Sequence, residues 1–514
     1  MKKIFNTDKK IKLGLWGLGR GTESLRSMQD LNFELVAGCD YNEDLRNTFA
    51  EAIPGAFVTD NEEEFLAQDM DAVLIATFLF DHTKHTLMAL ERGLHVMCEV
   101  TAFTTPAEGV QLVEAVEKSG KIYNFLENYP FTKKNMYLRK LWQEGFFGEF
   151  QYGEFEYLHE ERVLQYCYNA PGGPAIEPGW ACHTWRGKIK PHTYITHSLG
   201  PLMNITGLRP VQVAAMSCEV GLPGCMLYQK DAVGSTVAPS FFKMSNGGIY
   251  RNCQGSTTNN YHMGARIWGT RAGAEHLYDD TFKIRVGAFG DGLLLDVDPE
   301  WPDLAEEAEA AGHSGGDFWQ LYYFARELLF GEKAPWDIYS AADLTLAGIF
   351  ANRSMEQGGI PLDIPDFRKK EDRDKYRDDH DSVVFNDRDP QKIFPDGHDT
   401  NITKNFNTLM TKIYPLYCGE YGIKLYYRAI DGIKLYENIS DPAQKLTVVN
   451  AVNKLIKHLP ELAKNCSELK KIGDMYPECP AGWMIAKFIR ENEMDKIFNY
   501  EETIKELQDW LSSL

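Results

Sequence analysis

A glycine-rich turn near the start of the chain constrains its fold more than any other feature. The apolar run Ile11 to Trp16 leads directly into Gly17-Leu18-Gly19-Arg20-Gly21, and Thr22 to Met28 continues as a helical pattern. Glycine lets the backbone turn sharply and approach a ligand closely. The first turn of the following helix presents backbone N–H groups to an anion. The sequence therefore predicts a strand, a tight loop and a helix that together hold a pyrophosphate.

An acidic residue stands where a dinucleotide would need one. Glu34 to Cys39 is typical of a second strand, and Asp40 follows it, 21 residues after Gly19. A carboxylate at this place accepts hydrogen bonds from an adenosine ribose and repels a 2′-phosphate. The expected cofactor is therefore NAD rather than NADP. The alternative is that Asp40 only caps the helix that begins in Asp-Tyr-Asn-Glu.

Composition and charge exclude several classes of protein. The 514 residues predict about three domains, and 44% hydrophobic with 25% charged residues exclude disorder of the whole chain. A formal net charge of −20 repels polyphosphate, so neither nucleic acid nor an anionic membrane is an expected partner. A small neutral substrate suits such a surface.

The cysteines and the start of the chain bear on location. The ten cysteines contain no C-x-x-C pair and no Cys/His cluster at zinc spacing, which predicts reduced thiols and no metal site. The first eight residues lack the apolar segment of a signal peptide, and no apolar run reaches membrane-spanning length. We therefore expect a cytoplasmic protein that does not enter a membrane.

Alternating strand and helix patterns predict an α/β fold with a Rossmann-type, doubly wound parallel sheet over residues 1–130. Residues 131–365 are predicted to form an α+β open-sheet substrate domain, because segments such as Glu149 to Tyr157 alternate between two faces. Residues 366–395 form a charged linker or surface strap. Residues 396–514 are expected to be a helical C-terminal extension. The strands predicted in the first domain are Ile11–Trp16, Glu34–Cys39, Ala72–Thr77, His95–Glu99 and Lys121–Leu126.

Several short motifs then resemble a known family. Ala76-Thr77, Glu99, and Gly200-Pro201 in the second domain are similar to the Gfo/Idh/MocA oxidoreductases over about residues 10–365. One branch matches better, the NAD-dependent α-N-acetylgalactosaminidases of glycoside hydrolase family 109. Its resemblance is carried by Glu127-Asn128, Glu156-Tyr157-Leu158-His159, Tyr194-Ile195-Thr196-His197 and His313-Ser314-Gly315-Gly316-Asp317-Phe318.

The resemblance implies that Glu127, His159, Tyr194 and His197 surround a sugar. By resemblance Tyr194 removes the proton from C2, His197 or His159 handles the proton of the C3 hydroxyl, and Glu127 with Asn128 binds sugar hydroxyls. Tyr194 and His197 at i and i+3 would share a helix face. The alternative for Tyr194 is a core tyrosine with a satisfied hydroxyl, and for His159 an ordinary strand-end histidine.

Other residues are expected to line the two pockets. Thr77, His82, His85 and Glu99 are expected near the cofactor, with the two histidines at the surface or in the crevice. Trp185 and Arg186 either line the substrate pocket or pack on the surface. Asp317, which follows two glycines, is expected to be a helix N-cap.

The segment Glu99-Val100-Thr101 departs from the Glu-Lys-Pro of the superfamily, so the lysine that serves as base in its dehydrogenases is absent. The resemblance and the missing lysine together imply an NAD-dependent glycosidase that acts on an amino sugar or a related glycoside. Its expected cycle is transient oxidation at C3, elimination of the C1 substituent, addition of water and re-reduction, with tightly bound NAD recycled. The alternatives are a sugar or cyclitol dehydrogenase that releases NADH, and a non-catalytic NAD-binding sensor. A carbohydrate is the expected substrate. The resemblance further implies a homo-oligomer that packs through the sheet of the second domain.

Overall fold

A computed structural model describes the chain over residues 4–159, 166–167, 177, 179–218, 237–255, 258, 263–276, 281–287, 292–385, 391–402, 416 and 420–514. These residues form two compact units. The first unit holds residues 1–160, 189–220 and 233–385, and the second holds 161–188, 221–232 and 386–514. Each unit has its own hydrophobic core.

The first unit begins with six parallel strands in the order β3-β2-β1-β4-β5-β6. This is the doubly wound order, in which ligands bind at the carboxyl ends of the strands where the order reverses. The edge strand β3 was missed by the sequence prediction, because it has only three residues. The strands are β1 Ile11–Trp16, β2 Phe33–Cys39, β3 Phe57–Thr59, β4 Ala72–Ile75, β5 His95–Glu99 and β6 Tyr123–Leu126.

Helices cover this sheet, and their ends follow local sequence signals. Thr105 and Glu108 form a reciprocal capping box at the start of the longest of them, and Pro106 occupies its first position. Gly120, with a φ of +62°, ends it. The helices are α1 Leu25–Asp30, α2 Glu43–Ala52, α3 Glu62–Leu66, α4 His82–Glu91 and α5 Pro106–Ser119.

The same unit contains a nine-stranded mixed sheet, the open sheet that the alternating pattern predicted. The long strand β7 lies at its centre, parallel to β12 and antiparallel to β13. The order is β16-β15-β14-β13-β7-β12-β11-β10-β17. Its strands are β7 Phe150–Leu158, β10 Pro210–Ala215, β11 Ala238–Met244, β12 Ile249–Gly255, β13 Ala265–Gly269, β14 Ala272–His276, β15 Lys283–Val286, β16 Leu293–Asp296 and β17 Leu362–Asp363.

Further helices of the first unit connect the two sheets. Helix α8 packs on β7 and β12, and α11 packs on α5, β6 and β10, so both sheets share one core. The helices are α6 Lys133–Gln143, α8 Thr196–Thr206, α9 Ala305–Glu309, α10 Gly316–Phe330, α11 Ile338–Glu356 and α12 Lys370–Tyr376.

The charged segment is predicted to be a linker or a surface strap. In the structure, residues 366–385 lie along the first unit as a surface strap. Arg373 and Arg377 of the strap pair with Glu117 and Glu114 of α5 at 2.6 and 2.7 Å. The Asp379 carbonyl accepts a hydrogen bond from Ala107 N at 2.9 Å. The charged residues of this segment therefore fasten it to the nucleotide-binding domain.

The second unit combines a small sheet with the C-terminal helices. Its core contains Ala181, Ile393 and Phe394 together with one face of each helix. In the long helix Val452, Leu455 and Leu459 are fully buried. The sheet consists of β8 Tyr166–Cys167, β9 Trp180–His183 and β18 Gln391–Lys392, and the helices are α7 Trp185–Lys188, α13 Ile423–Leu435, α14 Pro442–Met475, α15 Pro480–Glu491, α16 Met494–Phe498 and α17 Tyr500–Ser512.

Candidate active site and NAD-binding crevice

The glycine-rich turn follows β1 at the point where the strand order reverses. Gly17 has a φ of +95°, and a Cβ there would lie 2.3 Å from the carbonyl oxygen of Ala76, so only glycine fits. The turn continues as a short 3₁₀ helix, Arg20–Thr22, and α1 starts at Leu25, three residues later than predicted. The nearest atom to a Cβ on Gly19 would be 3.9 Å away, so this position leaves room above the loop.

Asp40 lies beside this loop at the end of β2. One carboxylate oxygen accepts a hydrogen bond from Leu18 N at 2.7 Å, and the other accepts one from Asn42 N at 2.8 Å. Helix α2 is capped by Asn42, whose side chain accepts from Asp44 N, so the capping alternative for Asp40 is wrong. Each oxygen of Asp40 retains a further lone pair, which suits the two hydroxyls of a ribose. The loop and Asp40 thus fit an NAD molecule.

The histidines predicted near the cofactor lie inside the domain, with 1% and 4% of their surfaces exposed. His82 bonds the carbonyl oxygens of Thr101 and Thr77 at 2.7 and 3.2 Å. His85 bonds the Thr77 hydroxyl at 2.9 Å and Glu62 at 3.0 Å. Both nitrogens of each ring are used in these bonds. Since each ring bonds Thr77, which follows β4, the two histidines hold the end of that strand in place.

Four residues from distant parts of the chain form what we call the Asp317 cluster: Arg20, Asn128, His313 and Asp317. Arg20 donates to both carboxylate oxygens of Asp317, at 2.7 and 3.1 Å. The Asn128 amide donates to one of them at 3.0 Å, and the His313 ring bonds the other at 2.8 Å. Arg20 also donates to Glu99 at 3.0 Å.

The expected role of Asp317 as an N-cap is wrong, because Gly315 caps α10 and Asp317 lies inside its first turn. Its carboxylate instead joins the glycine loop, the end of β6 and α10. A sequence pattern cannot reveal this, because Arg20 and Asp317 are 297 residues apart.

The Asp317 cluster also shifts the protonation of its members. Burial alone raises the pKa of Asp317, but the hydrogen bonds from His313 and Arg20 outweigh it and hold that pKa well below its ordinary range. The same hydrogen bond to Asp317 raises the pKa of His313. Burial raises the pKa of Glu99, and the positive charge of Arg20 opposes that shift. Asp317 is therefore an anion paired with the Arg20 cation, and it favours the protonated form of His313.

A second group, which we call the His197 cluster, contains Glu127, Tyr129, Tyr157, Tyr194 and His197. His197 Nδ1 bonds Glu127 Oε1 at 2.7 Å, and the Glu127 side chain is fully buried. The ring of Tyr194 lies 4.6 Å from the His197 imidazole, and those of Tyr129 and Tyr157 each lie 4.7 Å from it. These groups come from the segment after β6, from β7, and from α8 with the turn before it.

Two details of the His197 cluster explain how it is assembled. Tyr194 lies in the turn before α8, which starts at Thr196, so the tyrosine and His197 meet without sharing a helical turn. A Cβ on Gly200 would lie 3.0 Å from Glu127 Cγ, so this glycine lets α8 approach the carboxylate closely. His159 follows β7, and its ring stacks on Tyr157 with centroids 5.6 Å apart.

Sequence reasoning missed Tyr129 and Tyr157 as members of the site. Tyr157 stands two residues before His159 in a predicted strand, so the alternation of β7 would have placed both side chains on one face. Tyr129 also contacts His313, with ring centroids 6.1 Å apart, and so links the two clusters.

Other expected residues have different surroundings. Val100 is buried, with 5% of its surface exposed, and carries no group that could transfer a proton. Trp185 and Arg186 lie in α7 of the second unit, where the Arg186 guanidinium sits 4.4 Å over the Trp185 ring, so their place in the substrate pocket stays a prediction.

Within the described ranges, no group of three acidic, histidine or cysteine side chains could hold a metal ion. None of the described helices is long and apolar enough to cross a membrane.

Family models match both ends of the first unit. Residues 11–126 match the oxidoreductase family GFO_IDH_MocA, an NAD-binding Rossmann fold. Residues 296–373 match the C-terminal domain of glycosyl hydrolase 109.

Among curated proteins, the chain is similar to an alpha-N-acetylgalactosaminidase from Shewanella oneidensis, with 26% identity over 403 residues that cover 70% of this chain and 85% of the relative. A glycosyl hydrolase family 109 protein from Saccharopolyspora erythraea is 25% identical over 408 residues, which cover 72% and 86% of the two chains.

Solved structures share the fold at lower identity. A levoglucosan dehydrogenase in complex with NADH has a TM-score of 0.57 and 15% identity, covering 70% of this chain and 100% of that chain. An inositol dehydrogenase homologue from Azotobacter vinelandii, complexed with NADH and myo-inositol, has a TM-score of 0.53 and 19% identity, covering 70% and 99%. The chain thus contains a domain that matches the NAD-binding Rossmann fold of the GFO_IDH_MocA oxidoreductase family and a second segment that matches the C-terminal domain of glycosyl hydrolase 109.

Proposed function

We propose that this protein is an NAD-dependent glycosidase that acts on an amino sugar or a related glycoside, without net oxidation. The observation that carries the proposal is the 2.7 Å bond between His197 and the buried Glu127, with the Tyr194 ring 4.6 Å from the same imidazole. Three groups that can bind hydroxyls and move protons thus lie beside the cofactor crevice. Bound NAD would supply a hydride acceptor for C3 of the sugar and return the hydride within the turnover.

His197 is proposed to hold the proton of the C3 hydroxyl, with His159 as the alternative. Because Glu127 fixes the His197 ring through Nδ1, proton exchange with the sugar would use Nε2. Glu127 Oε2 is buried and finds no hydrogen-bond donor within the described chain. A buried carboxylate oxygen needs a donor, and a sugar hydroxyl would supply it.

Tyr194 is proposed to take the proton from C2, which a ketone at C3 makes acidic. The tyrosine lies directly before α8, where the helix N-terminus favours the negative charge of a phenolate. The electrons of the C2–H bond then form the C1–C2 double bond, and the C1 substituent leaves and takes a proton from solvent. Water adds its hydroxyl to C1 and gives its other proton to solvent, while Tyr194, after its proton has exchanged with solvent, returns a proton to C2. In this cycle no lysine is required, which agrees with Val100.

The proposal is tested with chromogenic α- and β-glycosides, assayed with and without added NAD in heavy water. We expect release of the chromophore that depends on catalytic amounts of NAD, no accumulation of NADH, and deuterium at C2 of the product. Retention of the original hydrogen at C2 would instead indicate direct displacement by paired carboxylates. Stoichiometric NADH formation from free sugars would indicate a dehydrogenase.

A further inference from the structure

A cleft of about 640 Å³ lies in the first unit, away from the NAD crevice. It is bounded by α6, the C-terminal end of α8, the start of α11 and the surface strap. Its volume lies in the range of small-molecule sites. We call it the arginine cleft, and its lining includes Arg139, Trp142, Arg209, Trp336, Asp343 and Arg368.

The charge of the arginine cleft contrasts with that of the whole protein. Three arginines and one carboxylate line it, while the full chain has a net charge of −20. Asp343 is nearly fully buried and bonds both Arg209 at 3.0 Å and Arg368 at 2.8 Å. Arg368 also contacts Asp366 at 3.2 Å. The positive charges of Arg209 and Arg368 are thus balanced by the carboxylates of Asp343 and Asp366.

Arg139 is different, because no described carboxylate forms an ion pair with it. Its guanidinium lies near the Tyr323 phenol, and its buried Nε atom has no partner among the described residues. The indole N–H of Trp336, a residue with 3% of its surface exposed, also finds no acceptor there. Buried donors without acceptors are rare in folded proteins. Two buried donors, Arg139 Nε and the Trp336 indole N–H, therefore lack an acceptor among the described residues, and both belong to residues that line the cleft.

We propose that the arginine cleft binds a small organic oxyanion, a phosphate ester or a carboxylate of about the size of a sugar. Arg139 would bind the oxyanion through its guanidinium, and the Trp336 indole would donate a further hydrogen bond. Trp142, Met203 and Leu208 also line the cleft and offer apolar side-chain surface for the rest of the ligand. This site is independent of the proposed glycosidase activity.

The arginine cleft shares α8 with the candidate active site. Thr206 at the end of this helix lines the cleft, and His197 stands in its first turn. At about 1.5 Å per residue the two positions are roughly 13 to 14 Å apart along the helix. A ligand in the cleft is therefore separate from a substrate at His197.

The experiment uses the full chain saturated with NAD, so that phosphate groups cannot occupy the glycine-rich loop. Isothermal titration calorimetry is run with inorganic phosphate, glucose 6-phosphate, glucuronate and, as a neutral control, glucose. We expect saturable binding of at least one of the three anions and none of glucose. Binding of glucose 6-phosphate alone or of glucuronate alone would identify the anion class.

Two variants test whether the anion binds in the arginine cleft. Arg139→Met keeps the side-chain stem and removes the charge, and we expect it to weaken anion binding about tenfold or more. Trp336→Phe removes the indole N–H and should weaken binding several-fold, which keeps the test usable if Arg139→Met does not fold. The control is Arg271→Met, since the Arg271 guanidinium donates to the Gly145 carbonyl and Arg271 does not line the arginine cleft. Absence of anion binding, or equal binding by both arginine variants, would overturn the proposal.

Discussion

The carboxylate of Asp317 accepts two hydrogen bonds from the guanidinium of Arg20, at 2.7 and 3.1 Å, across 297 residues of sequence. Arg20 belongs to the glycine-rich loop that holds the cofactor, and Asp317 belongs to α10. The same carboxylate bonds Asn128, the neighbour of Glu127, at 3.0 Å. A single side chain thus connects the NAD-binding loop with the strand end that carries the proposed sugar-binding residue.

We expect the contribution of His313 to stability to depend on pH. The folded-state pKa of His313 is raised by Asp317, so the stabilisation is complete below about pH 6.5, the unfolded value, and is lost as the pH rises through the raised pKa. The difference in melting temperature between wild type and His313→Gln should therefore be larger at about pH 5.5 than at about pH 8.5. A difference that grows with pH would contradict this sign.

The contribution of Asp317 to stability has the opposite pH dependence to that of His313. Its folded pKa is lowered, so its stabilisation is present above about pH 3.9 and is lost as the pH falls further. Replacement of Asp317 by Asn removes the anion and should lower the pKa of His313, as followed by proton NMR of the imidazole ring. If the His313 titration in Asp317→Asn matched the wild type, the bond at 2.8 Å would not control its protonation.

Tyr194→Phe should retain the fold and lose most of the activity. The change keeps the ring that packs against His197 and removes only the hydroxyl, so we expect turnover to fall by about 10² to 10⁴ with little change in melting temperature. Tyr152→Phe is the matched control, because the Tyr152 hydroxyl bonds Glu154 on the open sheet at 2.7 Å. A Tyr194→Phe enzyme with more than about half the wild-type rate would make Tyr194 a packing residue.

Glu127→Gln should reduce turnover by about tenfold or more, because a neutral amide replaces the carboxylate that orients His197. The substitution preserves shape, so NAD binding should be unchanged in a fluorescence titration. Glu108→Gln provides the comparison, since Glu108 caps α5 and should leave turnover unaffected. Equal rates for the two variants would remove Glu127 from the proposed site.

Asp40→Ser should weaken the discrimination against NADP. Since the carboxylate is proposed to bind the ribose hydroxyls and would repel a 2′-phosphate, we expect the ratio of the two dissociation constants to fall by about tenfold or more. Calorimetry with both cofactors measures that ratio. A ratio that does not change would show that another residue sets the preference.

Deletion of residues 396–514 should lower solubility or melting temperature. The deleted helices bury apolar faces in the core of the second unit, and Ala181, Ile393 and Phe394 of that core would remain without them. Light scattering and thermal unfolding of the truncated chain measure both effects. An unchanged melting temperature, oligomer size and kinetics would show that the tail is an independent domain.

The sequence by itself determined the fold of the nucleotide-binding domain. The places of Gly17 in the tight turn and of Asp40 beside it could be predicted without a structure, because local backbone geometry and a fixed spacing along one βαβ unit decide them. The five longer strands were also predictable from their continuous apolar runs, whereas the three-residue edge strand β3 was too short for such a signal.

The tertiary structure alone decided which side chains meet. The bond between Glu127 and His197 spans 70 residues, and the one between Arg20 and Asp317 spans 297. A local pattern makes Asp317 look like a helix cap, but packing of α10 beside the glycine-rich loop turns its carboxylate into the partner of Arg20. Likewise His82 and His85 look like surface residues until α4 packs on the sheet and buries both rings. Contacts of this kind depend on chain folding over long distances, which residue spacing does not encode.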